Sequence, residues 1–388
     1  MEDQDAKRNA ISRRQFLKAA GAFVVLGAAG TARLDALASL LRSGVPGGKQ
    51  PDLTGSVPSG KDECSFTVFW ITDTQYLSES NPTLYSEATA WIVKNWGLFN
   101  GKLVIHTGDL VETGSELQQW VNAATSMTIL TNNNIPYVWC AGNHDDLVIN
   151  DATSGWAGSQ FDAFNPGVMS QKINSTGYTQ WAGDFHDGMN TAVTFSAGGL
   201  NFLVVNLEWN AQADALDWLE GLLSNELYQD HYVIIAPHAY EDAYGSTDDA
   251  RWGPTLADFR KRLAQIMDEH RYNVFLTLNG HFATDSGYHT PAPVNERNQL
   301  MFDRQESTDD PKDPIDSSVD DVLKVGGATI TLLTFDVKLN TVTVRTFDPY
   351  NSQYRTGSMD QYSFAMYPER GISGLSPNNP LITQRVPA

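Results

Sequence analysis

The sequence predicts an α/β protein organised around a parallel sheet. Three observations point there. Apolar runs of strand length alternate with segments of helical spacing between residues 65 and 146, and the alternation resumes after residue 192. Each main strand also stops abruptly on Gly, Asn, Asp or His. A β-α-β-α-β order implies right-handed crossovers between strands that run the same way.

In order, "SFTVFWITD" (65–73) reads as an apolar strand and "PTLYSEATAWIVKNWGLF" (82–99) as a helix. "KLVIHTGD" (102–109) is the second strand, and "SELQQWVNAATSMTIL" (115–130) a helix opened by Ser115. "IPYVWCAGNHD" (135–145) is the third strand. Residues 147–190 are rich in Gly, Trp and Asn and too long for a plain connection, so a site-shaping loop is expected. Strands follow at 192–196 and 201–207, then a helix from Ala211 to Leu223. "HYVIIAPHA" (231–239) is a strand, 255–269 a helix, and "NVFLTLNGH" (273–281) a strand. The end reads as hairpin-like β-structure in "QLMFD" (299–303), "GATITLLTFD" (327–336) and "NTVTVRTFD" (340–348), the last two joined through Leu339 and Asn340. The acidic segment 309–321 between them reads as a solvated charged loop rather than a calcium site.

The 388 residues divide into a leader (1–38), a Gly/Pro/Ser-rich linker (39–62), one large domain (63–350) and a surface-wrapping extension (351–388). In the leader, "SRRQFLK" sets Arg13 and Arg14 before twelve small or apolar residues, a run too short to span a bilayer. Ala36-Leu37-Ala38 then offers the small-x-small pattern of a cleavage site. The stretch resembles a twin-arginine export signal, which implies that export machinery as a partner, an exported location, and no lasting membrane anchor. Export permits disulfides, yet Cys64 and Cys140 are not expected to pair. Their offset along adjacent parallel strands is roughly 20 Å at about 3.3 Å per residue, against the ~7 Å a disulfide spans. The leader carries a net charge of +2 and the remainder −22, of a total of −20. So acidic a body repels phosphate backbones, which argues against a nucleic-acid partner. A small phosphate ester stays admissible, because bound divalent cations reverse the sign locally.

The strand ends carry the chemistry: Asp73-Thr74-Gln75, Gly108-Asp109, Gly142-Asn143-His144-Asp145, Pro237-His238 and Gly280-His281. A lone Asp at a strand end is usually a cap, and a lone His is usually hydrogen-bonded core. Five such ends at the same edge of one expected sheet form a crevice in which ligands gather. Separations of 36 and 34 residues between Asp73, Asp109 and Asn143 suit successive βαβ units.

D-T-Q, G-D, G-N-H-D, a lone His and G-H in this order resemble the calcineurin-like metallophosphoesterases, over roughly residues 65–350. The resemblance implies a four-layer α/β/β/α sandwich with mixed sheets. It also implies two divalent metal ions (Mn, Fe or Zn) and hydrolysis of a small phosphate mono- or diester by a metal-bridged hydroxide. By it, Asp109 bridges the ions; Asn143, His238 and His281 complete one site, and Asp73 and Gln75 belong to the other. His144 faces the substrate as proton donor or charge stabiliser. Asp145 either orients His144 or caps the next segment; both readings stand. Gln75 replaces the family's usual His, and Ala283 stands where the second His of G-H-x-H belongs, so the second site is expected to be weak. Asp285 or His289 could fold back to supply the absent ligand. His106, inside a strand, suits a core or supporting role, while His186 and His289 fall in loops placed to border the cleft. The competing class is a secreted, non-catalytic metal-binding protein that keeps the fold and one metal.

Overall fold

The computed structural model describes residues 64–247, 253–284, 287–292, 297–306 and 326–366. The twin-arginine stretch, its cleavage site, the linker and the acidic segment 309–321 lie outside the described residues.

Two seven-stranded mixed sheets are present. The first runs β13-β12-β11-β1-β2-β3, with β14 also on β12. Its strands are β1 (Ser65–Ile71), β2 (Gly101–His106), β3 (Tyr137–Trp139), β11 (Ile330–Asp336), β12 (Thr341–Asp348), β13 (Gln353–Tyr354) and β14 (Gln361–Ala365). The second runs β4-β5-β6-β7-β8-β10-β9. It contains β4 (Thr179–Phe185), β5 (Asn190–Ala197), β6 (Leu200–Leu207), β7 (Tyr232–Pro237), β8 (Val274–Asn279), β9 (Tyr288–Thr290) and β10 (Asn298–Met301). The expected parallel core is real in each: β1, β2 and β3 pair parallel, as do β6, β7, β8 and β10.

Alternation along the strands builds the layers. On β6, Phe202 and Val204 face the core between the sheets, whereas Leu203, Val205 and Leu207 face outward. Phe66 of β1 stacks on Phe335 of β11 at 4.9 Å and meets Phe202 of the opposite sheet edge-on at 5.3 Å, which closes the sheets face to face. The outer face of the second sheet is covered by α5 (Ala213–Leu223) and α6 (Pro254–Glu269) through Leu216, Leu219, Leu263 and Met267. Helices α1 (Gln75–Ser80), α2 (Pro82–Asn95) and α3 (Leu117–Thr131) pack with the first sheet; Trp91 of α2 stacks on Phe347 of β12 at 4.1 Å. This is the four-layer α/β/β/α sandwich.

Several expectations need correcting. The five strand ends do not share one sheet: β1, β2 and β3 belong to the first and β7 and β8 to the second. "QLMFD" forms no hairpin with the strand after it, because β10 pairs parallel with β8 inside the second sheet. The stretch 147–190 is not all loop, since it holds α4 (Pro166–Asn174) and β4. Helix α3 begins at Leu117 after Glu116, so Ser115 does not cap it. β14, within the expected extension, pairs antiparallel with β12 along Thr341–Arg345 and completes the first sheet. Among the described residues, no helix is long and apolar enough to cross a membrane.

Candidate metal centre

The ends of β1, β2 and β3 meet those of β7 and β8 where the two sheets converge. Four buried side chains present lone pairs to one another there. Asn143 Oδ1 lies 3.0 Å from His238 Nε2 and 3.0 Å from His281 Nδ1, and the two ring nitrogens are 3.2 Å apart. Asp109 Oδ1 is 3.5 Å from His238 Nε2. Orientation follows from the other end of each group. His238 donates Nδ1–H to the Thr107 carbonyl at 2.8 Å, which leaves Nε2 as an acceptor in the neutral ring. Asn143 donates its Nδ2 amide to Asn150 Oδ1 at 3.1 Å, which turns Oδ1 inward. Burial holds the pKa of both histidines below the usual imidazole value, so they are neutral.

This donor set fits a divalent cation. Ligands about 2.1 Å from a common centre stand about 3.0–3.4 Å from one another in tetrahedral or octahedral arrangements. Neutral imidazoles, an amide oxygen and a carboxylate supply negative potential with few protons to satisfy one another. Asp109, His238 and His281 form a cluster of buried groups able to hold a metal ion.

Asp109 turns its second oxygen the other way, where Oδ2 accepts from Gln75 Nε2 at 3.2 Å. Asp73 sits beside this group, and its carboxylate accepts the His281 N–H at 3.1 and 3.2 Å. Burial raises the Asp73 carboxyl well above the usual range, and the charges of Asp303 and Asp109 push the same way. Asp73, Asp109 and His281 hold left-handed φ angles of 51°, 52° and 72°, a conformation costly for non-glycine residues. The backbone turns sharply at each strand end and delivers the side chain into the crevice. The glycines are needed for close approach: a Cβ on Gly142 would stand 2.1 Å from Asp109 Oδ1, and one on Gly280 would stand 2.0 Å from Asp73 Oδ2.

His144 lies at the rim. Its backbone N–H donates to Asp109 Oδ1 at 3.0 Å, and its side chain is 26% exposed. Nδ1 donates to the Glu112 carbonyl at 2.9 Å and lies 3.3 Å from Glu112 Oε2. Partial burial lowers its pKa, but the Asp109 charge and the Glu112 contacts outweigh this and leave it raised.

Asp145 is not directed at His144. Its Oδ1 accepts from Leu110 N at 2.8 Å and Val111 N at 2.9 Å, and Oδ2 accepts from Gly142 N at 2.7 Å. The carboxylate ties the loop that carries Asp109 to the loop that carries Asn143. Burial and the Asp109 charge push its carboxyl up, and the three N–H groups oppose them.

His106 is buried within β2, accepts from Gly108 N at 3.2 Å and contacts Thr74 Oγ1 at 3.0 Å. Burial holds its pKa near 3, as a supporting residue requires. His289 contacts Asn298 Oδ1 at 3.1 Å and stacks on Tyr362 and Phe364 of the opposite flank, so it supplies no ligand here. Ala283 is exposed, and Asp285 lies outside the described residues. His186 is held between Glu208 Oε1 at 2.6 Å and Asp214 Oδ2 at 3.1 Å.

Two residues of the centre escaped the sequence reading. Trp209 lays its ring 4.4 Å from that of His281 and walls the histidines from solvent. Asp303, wholly buried just past β10, is the strongest charged neighbour of Asp73. Its signal is the one that marks the others, a strand that stops on an acidic residue.

The chain is 26% identical over 323 residues to the uncharacterized protein YvnB of Bacillus subtilis (strain 168); the match takes in 80% of this chain. This chain spans only 22% of the length of that curated relative. Among solved structures it is similar to GAP50, the anchor in the inner membrane complex of Plasmodium, with a TM-score of 0.47 and 9% identity over 84% of this chain and 96% of that one. It is also similar to the purple acid phosphatase PPD1 of yellow lupin (Lupinus luteus) seeds, with a TM-score of 0.45 and 15% identity over 78% of this chain and 54% of that one. The family model for calcineurin-like phosphoesterases matches residues 66–297, a span that runs from β1 to the start of β10 and holds every residue of the converging cluster. More than half of the chain lies within that match, and the chain belongs to the calcineurin-like phosphoesterase family.

Proposed function

We propose that this protein is an exported, metal-dependent phosphoesterase that hydrolyses a small phosphate mono- or diester. The observation that carries the reading is the buried convergence of Asp109, Asn143, His238 and His281, with His144 at its solvent rim. Asp109, Asn143, His238 and His281 would hold one cation; Asp73 and Gln75 would hold a second, with Asp109 between them. Divalent cations held there would polarise the phosphoryl oxygens and lower the pKa of a bound water.

The chain's own groups do the rest. Asp145 and the glycines set the distance between the Asp109 and Asn143 loops. Trp209 excludes water from the histidine side, which strengthens every charge interaction within. With Nδ1 of His144 committed to Glu112, Nε2 is the nitrogen that meets substrate. There it would protonate the departing alkoxide oxygen or stabilise its developing charge. The strongly acidic body favours small esters over nucleic-acid chains. The paired arginines ahead of a short apolar run support export.

Elemental analysis and hydrolysis of bis(p-nitrophenyl) phosphate and p-nitrophenyl phosphate test this. Asp109→Ala is expected to lose metal and turnover together. His144→Ala is expected to keep its metal and lose roughly 10²–10⁴ in turnover, the range for a positioned acid. Wild-type turnover in His144→Ala would refute the assigned role; a metal-loaded wild type inert on every ester would favour a binding protein.

A further inference from the structure

The register of the second sheet brings an unassigned carboxylate to the metal centre. β8 and β10 run parallel with Asn279 opposite Met301, and Phe302 N–H donates to the Asn279 carbonyl at 3.1 Å. Two residues beyond that pair, His281 and Asp303 leave the sheet side by side. Thr284 N–H donates to the Asp303 carbonyl at 2.7 Å, which binds the loop after His281 to Asp303. Asp303 is wholly buried, and its carboxylate accepts from Gln305 N and Gln305 Nε2, each at 3.0 Å. Gln305 in turn lies against the end of β1: a Cβ on Gly327 would stand 2.9 Å from the Asp73 carbonyl and 3.8 Å from Gln305 Cα.

The corner is filled with acceptors. Asp73, Asp109 and Asp303 are each no more than 1% exposed, and among the described residues no lysine or arginine forms an ion pair with any of them. Among the described residues, Gln75 Oε1 and Gln305 Oε1 meet no hydrogen-bond donor, although the two side chains are in residues only 1% and 8% exposed. Buried acceptors without donors are costly, and buried charges need a counter-charge.

We propose that Asp303 is the metal ligand that replaces the histidine missing at Ala283, completing a second divalent-cation site with Asp73, Gln75 and the shared Asp109. This rests on the metal-dependent reading above. The site so formed is all oxygen, carboxylate and amide, and selects a hard cation such as Mn²⁺; its neighbour, with two imidazoles, suits Zn²⁺ or Fe. In place of the weak second site that the sequence suggests, it gives two fully ligated positions of unlike chemistry.

The test uses the full chain, stripped by chelator and titrated with Mn²⁺, with free Mn²⁺ read by its electron paramagnetic resonance signal. Wild type is expected to take up two ions. Asp303→Asn keeps the size of the side chain and an acceptor for Gln305 N–H. It is expected to hold the first ion as wild type does and to bind the second at least roughly 10-fold more weakly, the lower bound for losing even an outer partner of a metal. Metal-free Asp303→Asn is expected to unfold at or above the wild-type temperature, because one of three buried carboxylates has been neutralised. Two ions bound by Asp303→Asn with wild-type affinity, or a single ion in wild type, overturn the assignment. So does a lower unfolding temperature of the metal-free variant with both affinities reduced alike, the mark of a structural role. Asp303→Ala repeats the comparison without the amide. Failure of the phosphoesterase reading appears elsewhere, as two bound ions with no ester hydrolysed.

Discussion

Asp145→Asn separates a residue that builds the centre from one that reacts in it. The carboxylate serves three backbone donors, two on Oδ1 and one on Oδ2, and is fully buried. An amide in its place keeps most of these bonds if its oxygen faces Leu110 and Val111. Its –NH₂ then opposes the Gly142 N–H, donor against donor, and strands one buried backbone group. The flipped rotamer strands two, so the first is the lower bound. One stranded buried donor costs about 1–3 kcal/mol. At roughly 2 °C per kcal/mol for a domain of this size, the unfolding midpoint is expected to fall by roughly 2–6 °C. Turnover on bis(p-nitrophenyl) phosphate is expected to stay within roughly tenfold of wild type, far from the 10²–10⁴ of a lost proton donor. Thermal unfolding and steady-state kinetics on the metal-loaded protein check both. An unchanged midpoint together with a turnover loss matching His144→Ala would refute the structural assignment and make Asp145 the orienter of His144.

His186 supplies a pH test. Its hydrogen bond to Glu208, against partial burial, pushes its pKa up to about 9. Its stabilisation is therefore complete below the unfolded value of about 6.5 and lost as pH rises through about 9. The unfolding midpoint of wild type over His186→Asn, a residue that tolerates the left-handed φ of 50° there, is expected to shrink between pH 6 and pH 9.5; a constant gap would show that the contact carries no charge. For export, replacing Arg13 and Arg14 together by Lys is expected to leave precursor inside the cell, since recognition needs guanidinium geometry and not charge alone. Normal secretion of that variant would show the leader was misread.

Most of the fold and five of the residues gathered at the centre could be read from strand ends, and the reason is local. Asp73, Asp109, Asn143, His238 and His281 each follow an unbroken apolar run, and a chemically unusual residue at its close stands out. Which sheet a strand joins is not local. β7 and β8 have the same apolar pattern as β1 and β2, and only side-chain packing across the interface separates them. Asp303 was hidden for the same reason. "QLMFD" precedes two hairpin-like strands, and nothing in its five letters says that it inserts beside β8. Trp209 follows β6 by two residues and reads as any core aromatic until the histidines are placed. Asp145 could not be divided between two roles because the His144 imidazole adjoins it in sequence, whereas two of the three peptide N–H groups it serves, those of Leu110 and Val111, come from another strand end.

The candidate ligands come from both halves of the sandwich: Asp73, Asp109 and Asn143 follow strands of one sheet, His238 and His281 strands of the other. Neither sheet alone holds a complete coordination sphere, so a partly folded chain has no pocket worth an ion's dehydration. Metal uptake at such a site would consequently be a late event in maturation, reporting that the two halves have docked. An ion held there would act as a cross-brace: pulling the sheets apart would break coordination bonds as well as the aromatic contact between Phe66 and Phe202.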